Sequence, residues 1–261
     1  MCTISWEFLG ASEGIQNEVR GTNDPIIGYR VYFNRDEQIT RPQAELPREF
    51  IENNIRYICP IDPQGGGTWC AVNEFGYTFA LLNFYQGRLP KGKLRSRGEL
   101  VKNAALLSSK EAVEEYLSSL DLQKYPPFSL LVFSPNEVQS GLVTLLRWTG
   151  KTLEKSEQDS PLISSALYFD DVSASRLQQY QTQISTRTDE PAELKDFIAL
   201  HKSHEPEKSA YSMCMHRDDA KTVSFSYVEV VGRNITYWYS DGSPCEAPLE
   251  KAASLKLKSL V

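Results

Sequence analysis

Residues 68–84, "TWCAVNEFGYTFALLNF", hold two β-rich runs separated by a short turn at Glu74 to Gly76, a spacing that predicts a β-hairpin. A second hairpin is expected from "TVSFSYVEVV" and "NITYWYSDG" across Gly232 and Arg233. "CTISWEFL" and "IIGYRVYFNRDE", the latter alternating apolar at Tyr29, Val31 and Phe33, form a third pair around the polar, turn-rich "GASEGIQNEVRGTNDP". "PPFSLLVFSP" and "SGLVTLLRWTG" add further strands. Helical periodicity comes in blocks instead. "SRGELVKNAALLSSKEAVEEYLSSL" sets Leu100, Ala104 and Leu107 on one face with a second start near Ser109, and "VSASRLQQYQTQI" and "PAELKDFIALHKS" follow later. Hairpins need no crossover and the helices do not arrive one per strand, so mostly antiparallel sheets covered by helices are expected, an α+β layered sandwich forming one domain over residues 1–261.

Composition narrows the function. With 41% hydrophobic and 24% charged residues the chain is that of a folded protein, and its net charge of -6 offers no basic stripe for a phosphate backbone, so no nucleic-acid partner is expected. No run of about 18 apolar residues is present, and no basic segment precedes an apolar one at the start; no integral membrane segment and a cytoplasmic location are the expectations. Five cysteines, an odd number at wide spacing without a C-x-x-C pair, are expected as free thiols. The sequence leaves the oligomeric state open.

An ordered set of short motifs says more: Met-Cys at the start, "NRDE" at 34–37, Arg41-Pro42, "GGTW" at 66–69, "LLNF" at 81–84 and "RGELV" at 97–101. In this set the chain resembles the NRDE proteins, also called the transport and Golgi organisation protein 2 family, continuously over about the first 100 residues and thinly after that. That family in turn looks like the N-terminal-nucleophile hydrolases, whose cysteine branch includes penicillin V acylase and bile salt hydrolase. The resemblance implies a four-layer αββα sandwich. It also implies Cys2 as nucleophile once Met1 is removed, Arg35 and Asp36 as its supports, and Asn83 as the oxyanion donor. Asn34, Glu37, Trp69, Ser165 and Lys221 are the residues expected to contact a ligand. No cofactor and no metal are expected.

The residue types suit that assignment. A terminal cysteine carries a thiol near pKa 8.5 and an α-amine near 7.7–8.0, a pair matched for proton exchange without a histidine. A guanidinium from Arg35 would favour thiolate, the Asp36 carboxylate would accept from the amine, and the Asn83 amide is the kind of donor that meets a developing oxyanion. Taken singly, each motif has a plainer reading: "NRDE" as a solvated turn, Gly65 to Gly67 as a turn rather than a phosphate cradle. Trp6, Tyr29, Phe33, Trp69, Phe84 and Tyr85 could line an apolar pocket or simply be core.

Two stretches depart from the family pattern. "ISSALYFDD" puts Ser165 where an asparagine belongs, and "HRDDAKTVSFS" offers Lys221 or Arg217 in place of a late arginine. In "SMCMHRDD", strand alternation sends Cys214 and His216 to one face and Met213 and Met215 to the other, which argues against all four holding one metal and favours a structural role. His201 and His204 are expected at a solvated helix end. The expected ligand is a small amide or acyl compound, cleaved through a thioester at Cys2. The alternative is a non-enzymatic protein that binds or traffics haem or an acyl lipid in the same cleft.

Overall fold

The computed structural model describes residues 1–10, 28–135, 142–186 and 192–258. Strands β1 (Cys2–Leu9), β2 (Gly28–Gln38), β3 (Glu45–Glu52), β4 (Ile55–Ile61), β5 (Cys70–Asn73) and β6 (Thr78–Asn83) precede helices α1 (Gly98–Ala104) and α2 (Lys110–Ser119). Then come β7 (Phe128–Phe133), β8 (Val143–Trp148), β9 (Leu153–Gln158), β10 (Leu162–Ser164), α3 (Phe169–Tyr180), α4 (Leu194–Lys202), β11 (Ala220–Val231), β12 (Asn234–Ser240) and β13 (Glu250–Lys256). The sequence-predicted loop at 10–25 falls, but for Gly10, outside the described residues.

Two antiparallel sheets result, one ordered β10-β1-β2-β11-β12-β13 and the other β3-β4-β5-β6-β7-β8-β9. Alternation along each strand gives each sheet two buried faces. Ile4, Trp6, Val31 and Phe33 of the first sheet meet Ile58, Val72, Leu82, Leu131 and Leu145 of the second in a central core. On the far side of the second sheet, Tyr57, Phe79 and Leu130 pack on Leu100, Val101, Val113 and Leu117 of α1 and α2. On the far side of the first, Tyr32, Phe225 and Tyr227 meet Tyr180, Phe197 and Leu200 of α3, α4 and their surroundings. Tyr32 lies between the rings of Phe197 and Tyr227, with centroids 4.7 and 5.2 Å away. The expected four-layer αββα sandwich is what the chain forms. Each fully buried Leu, Ile or Phe in these layers contributes about 1.5–3 kcal/mol, so the three cores together hold the layers against the entropy of ordering them.

Local choices agree with the whole. Ser109 caps α2 by accepting from the Ala112 N–H at 3.1 Å, as its position before the apolar run predicts. Both hairpins form, β5 with β6 and β11 with β12. Among the described helices none is long and apolar enough to cross a membrane.

Candidate active site

Cys2 opens β1, with Arg35 of β2 opposite it on one side and Ser164 of β10 on the other. Directly opposed residues share a face of the sheet, so Cys2 and Arg35 both look toward the space between the sheets. The Arg35 guanidinium lies 4.3 Å from the centre of the Trp69 ring and also reaches Glu37 at 3.4 Å and Asp62 at 3.7 Å. Arg41 completes that group by pairing with Asp62, at 3.1 Å through Nε, and with Glu37 at 3.5 Å. Burial alone would raise the Asp62 carboxyl, yet the bonds and charge of Arg41, with Arg35 behind, hold it below the usual carboxylate range. An open groove of about 460 Å³ adjoins this network, lined by Gln38, Thr40, Arg41, Pro42, Pro63 and Gln64.

The next residue along β2 faces the other way. Asp36 accepts from Thr222 Oγ1 at 2.7 Å and from Arg176 at 3.1 Å, both ion-pair side chains being fully buried. Arg176, on α3, also donates to Thr3 Oγ1 and to the Ala210 carbonyl. Asn34, on the same face, donates to the carbonyls of His201 at 2.9 Å and Met213 at 2.8 Å. The four-residue motif is thus divided: Arg35 and Glu37 serve the space between the sheets, while Asn34 and Asp36 fasten the helical layer. A β-bulge in β11 between Thr222 and Ser224 lies opposite the Arg35–Asp36 junction. The Asp36 carboxylate therefore has different partners from the terminal amine expected of it. Its backbone N–H is what faces Cys2, donating to the Met1 carbonyl at 3.2 Å.

With Met1 in place, burial pushes the Cys2 thiol up. The amine at the chain start, the Asp36 N–H and Arg35 pull it back, and the Asp36 charge adds to the rise. Met1 also covers Ser165, whose Oγ contacts the Met1 sulfur at 2.8 Å and donates to the Leu167 carbonyl at 2.5 Å.

Asn83 ends β6. Its carbonyl accepts from the Ser164 hydroxyl, the residue paired with Cys2, and its side-chain amide donates to Tyr85 Oη at 2.8 Å. Tyr85, one of the aromatics expected near a pocket, lies here, and Arg97 is an addition that sequence reasoning did not assign to the site. Desolvation raises the Tyr85 phenol, although the residue as a whole is 41% exposed, and lowers the Arg97 guanidinium; each feels the charge of the other and of Cys2. Arg97 is held by the Pro127 carbonyl at 2.9 Å. A signal for it was present: Arg97 opens the "RGELV" motif, and at the N-cap of α1 its side chain makes no capping bond.

Gly67 and Gly98, one from each of two sequence motifs, explain the approach of Trp69 to this group. A Cβ on Gly67 would lie 2.3 Å from the Gly98 carbonyl carbon, and the Thr68 N–H donates to the Gly98 carbonyl at 3.1 Å.

Lys221 pairs through its backbone with Glu37 and with His216, whereas Arg217 is taken up by Asp219 at 2.8 Å. His201 differs from the expectation of a solvated helix end: it is fully buried, its Nε2 2.8 Å from Ser5 Oγ, because the helix face carrying Phe197 and Leu200 turns it into the layer over β1. Cys214 and His216 do share a face, and they meet His204 and Cys245 there. All five cysteines are free thiols.

Comparison with one solved structure agrees with the layers. The N-acylethanolamine-hydrolyzing acid amidase ortholog of Caenorhabditis elegans superposes with a TM-score of 0.52 at 11% identity, over 87% of this chain and 92% of that one. A C2A mutant of the conjugated bile acid hydrolase from Clostridium perfringens matches with a TM-score of 0.49 at 14% identity, over 100% and 99%. No curated protein matches the chain. The profile described as Transport and Golgi organisation 2 matches residues 23–237, well past the first 100 where the sequence motifs cluster. By that match over most of its length, the chain belongs to the transport and Golgi organisation 2 family.

Proposed function

We propose that residues 1–261 act as one hydrolase domain in which Cys2, freed by removal of Met1, cleaves a small amide or acyl compound in the cytoplasm. The observation that carries the reading is the pairing of Cys2 with Arg35 across β1 and β2, which puts a permanent cation on the same sheet face as the thiol. The worm amidase contributes only the fold; the chemistry is taken from the residues.

Removing Met1 moves the positive amine onto Cys2 itself and uncovers Ser165 Oγ. The thiolate then attacks the substrate carbonyl while its proton rests on the α-amine. The carbonyl oxygen gains the negative charge, and the Asn83 amide turns from Tyr85 to donate to it. Collapse breaks the bond to the leaving nitrogen, which takes the proton from the α-ammonium and leaves a thioester. Water, deprotonated by the same amine, hydrolyses it and restores Cys2. Arg35, steadied by Trp69 and Glu37, and Arg97 beyond Tyr85 supply the fixed positive charge; Asp36 and Asn34 keep β2 in place.

Intact mass before and after a sub-stoichiometric thiol-alkylating dose tests this. Loss of Met1, with the label on Cys2 ahead of Cys59 and Cys70, whose burial pushes them up to about 12, is the expected result. Retained Met1, or labelling spread over all thiols, removes the amine mechanism and would turn attention to binding of haem or an acyl lipid.

A further inference from the structure

Beyond the cleft, four side chains distant in sequence converge in the outer layer. His204 follows α4, Cys214 and His216 lie on the segment leading into β11, and Cys245 sits in the connection between β12 and β13. Their potential ligand atoms all lie within 4.8 Å of one another. The two sulfurs are 3.5 Å apart and the two Nε2 atoms 3.3 Å apart, with His216 Nε2 3.6 Å from Cys214 Sγ and 3.4 Å from Cys245 Sγ. Zinc–sulfur bonds of about 2.3 Å and zinc–nitrogen bonds of about 2.0–2.1 Å at tetrahedral angles require edges of about 3.8 Å between sulfurs, 3.3 Å between nitrogens and 3.6 Å for a mixed pair. These four separations match the corresponding edges to within about 0.3 Å. Four of the six edges of a coordination tetrahedron are thus matched, and the remaining two, from His204 to the sulfurs, are at most 4.8 Å.

We propose that His204, Cys214, His216 and Cys245 bind one zinc ion in a closed, tetrahedral, structural site. Two thiolates and two imidazoles are the donor set that selects zinc among common divalent ions, and the charges of the thiolates balance that of the metal. On binding, each cysteine gives up its proton to solvent and a sulfur–zinc bond forms; no oxidation is involved. The backbone is arranged to hold the donors: the Cys214 N–H donates to the Ser203 carbonyl at 2.9 Å, and Ser212 Oγ donates to the Cys214 carbonyl at 2.8 Å.

The ion would fasten the segment on which the NRDE strand leans. Between the ligands Cys214 and His216, the Met215 N–H donates to Thr222 Oγ1, which in turn donates to Asp36; Met213 accepts from Asn34. Ser243, two residues before Cys245, donates to the Thr222 carbonyl. Zinc at this place is a clamp on the far side of the sheet from Cys2, and the inference stands whether or not Cys2 is a nucleophile.

The test is zinc content of the full chain, purified reduced and without chelator, followed by cobalt substitution. One zinc per chain is expected, removed by a strong chelator with a fall in melting temperature. Cobalt added to the stripped wild type should give the intense visible bands of a tetrahedral site and a near-ultraviolet thiolate charge-transfer band. Cys2→Ala should keep its zinc, and Cys214→Ser and Cys245→Ser should lose it. Because those two variants could fail to fold, the cobalt spectrum of the wild type decides independently. Substoichiometric zinc together with a cobalt spectrum lacking thiolate bands would overturn the proposal. So would a Cys214–Cys245 disulfide in metal-free protein alkylated at lysis.

Discussion

Arg176 donates to Asp36 at 3.1 Å in an ion pair that no solvent reaches, joining α3 to the strand that faces Cys2. Thr222 and Thr3 satisfy further positions on the two partners, so the pair is networked rather than isolated. Removing one member strands the other charge in the layer. Arg176→Met is expected to cost about 3–5 kcal/mol, read from urea unfolding of the purified protein. A loss below about 1 kcal/mol, the value for exposed pairs, would mean that water reaches the pair.

Asn83→Ala is expected to lower kcat by 10²–10³, about 2.7–4 kcal/mol, and to leave KM nearly unchanged, because an oxyanion donor acts only as charge develops. Steady-state kinetics on whichever amide or acyl substrate Cys2 turns over makes the measurement. A rise in KM alone would assign Asn83 to substrate binding.

Gly67→Ala inserts a methyl group where the Gly98 backbone already lies. Overpacking of this kind costs about 1–3 kcal/mol, and the strain falls on the step that seats Trp69 beneath Arg35. A lower melting temperature with quenched or shifted tryptophan fluorescence is the expected readout. Gly66→Ala, whose Cβ would meet nothing within 4 Å, should cost only the strain of its positive φ of 64° and leave the fluorescence alone.

Acid should weaken the fold through His201. Burial, with Arg176 nearby, lowers its pKa to about 3, whereas in the unfolded chain it titrates near 6.5. Below 6.5 the unfolded state holds the extra proton, so stability is fully present above that pH and falls as pH drops toward about 3, by roughly 1.4 kcal/mol per unit from this group. Urea unfolding at a series of pH values measures the slope, and His201→Gln, which can still reach Ser5, should flatten it.

Central strands other than β4 were legible in the sequence, and edge strands were not. β1, β2, β6, β7, β8, β11 and β12 are buried on at least one face and carry apolar, aromatic or β-branched runs. β3 ("ELPREFIE"), β9 ("LEKSEQ"), β10 ("LIS") and β13 ("EKAASLK") border the sheets, where charges and, in β3, a proline protect against pairing with another chain and erase the alternation, while β10 is too short at three residues to show one. β4 was missed with its hairpin partner, since the turn at Asn53 and Asn54 has positive φ without any glycine to announce it. Among site residues, Cys214 and His216 come together as expected, although their segment is a bend with one isolated bridge rather than the strand that the alternation assumed. Alternation could not supply His204 and Cys245, which come from other segments and meet only when the outer layer closes.

Because β2 carries neighbours that serve opposite sides, it works as a two-sided fixture. Arg35 can hold its place beside the thiol only while Asp36 and Asn34 are gripped from behind. The alkylation rate of Cys2 should therefore double as a gauge of how firmly α3 and α4 are seated. A chain whose outer helices had come loose would be caught by such a reagent while circular dichroism still recorded an intact sandwich.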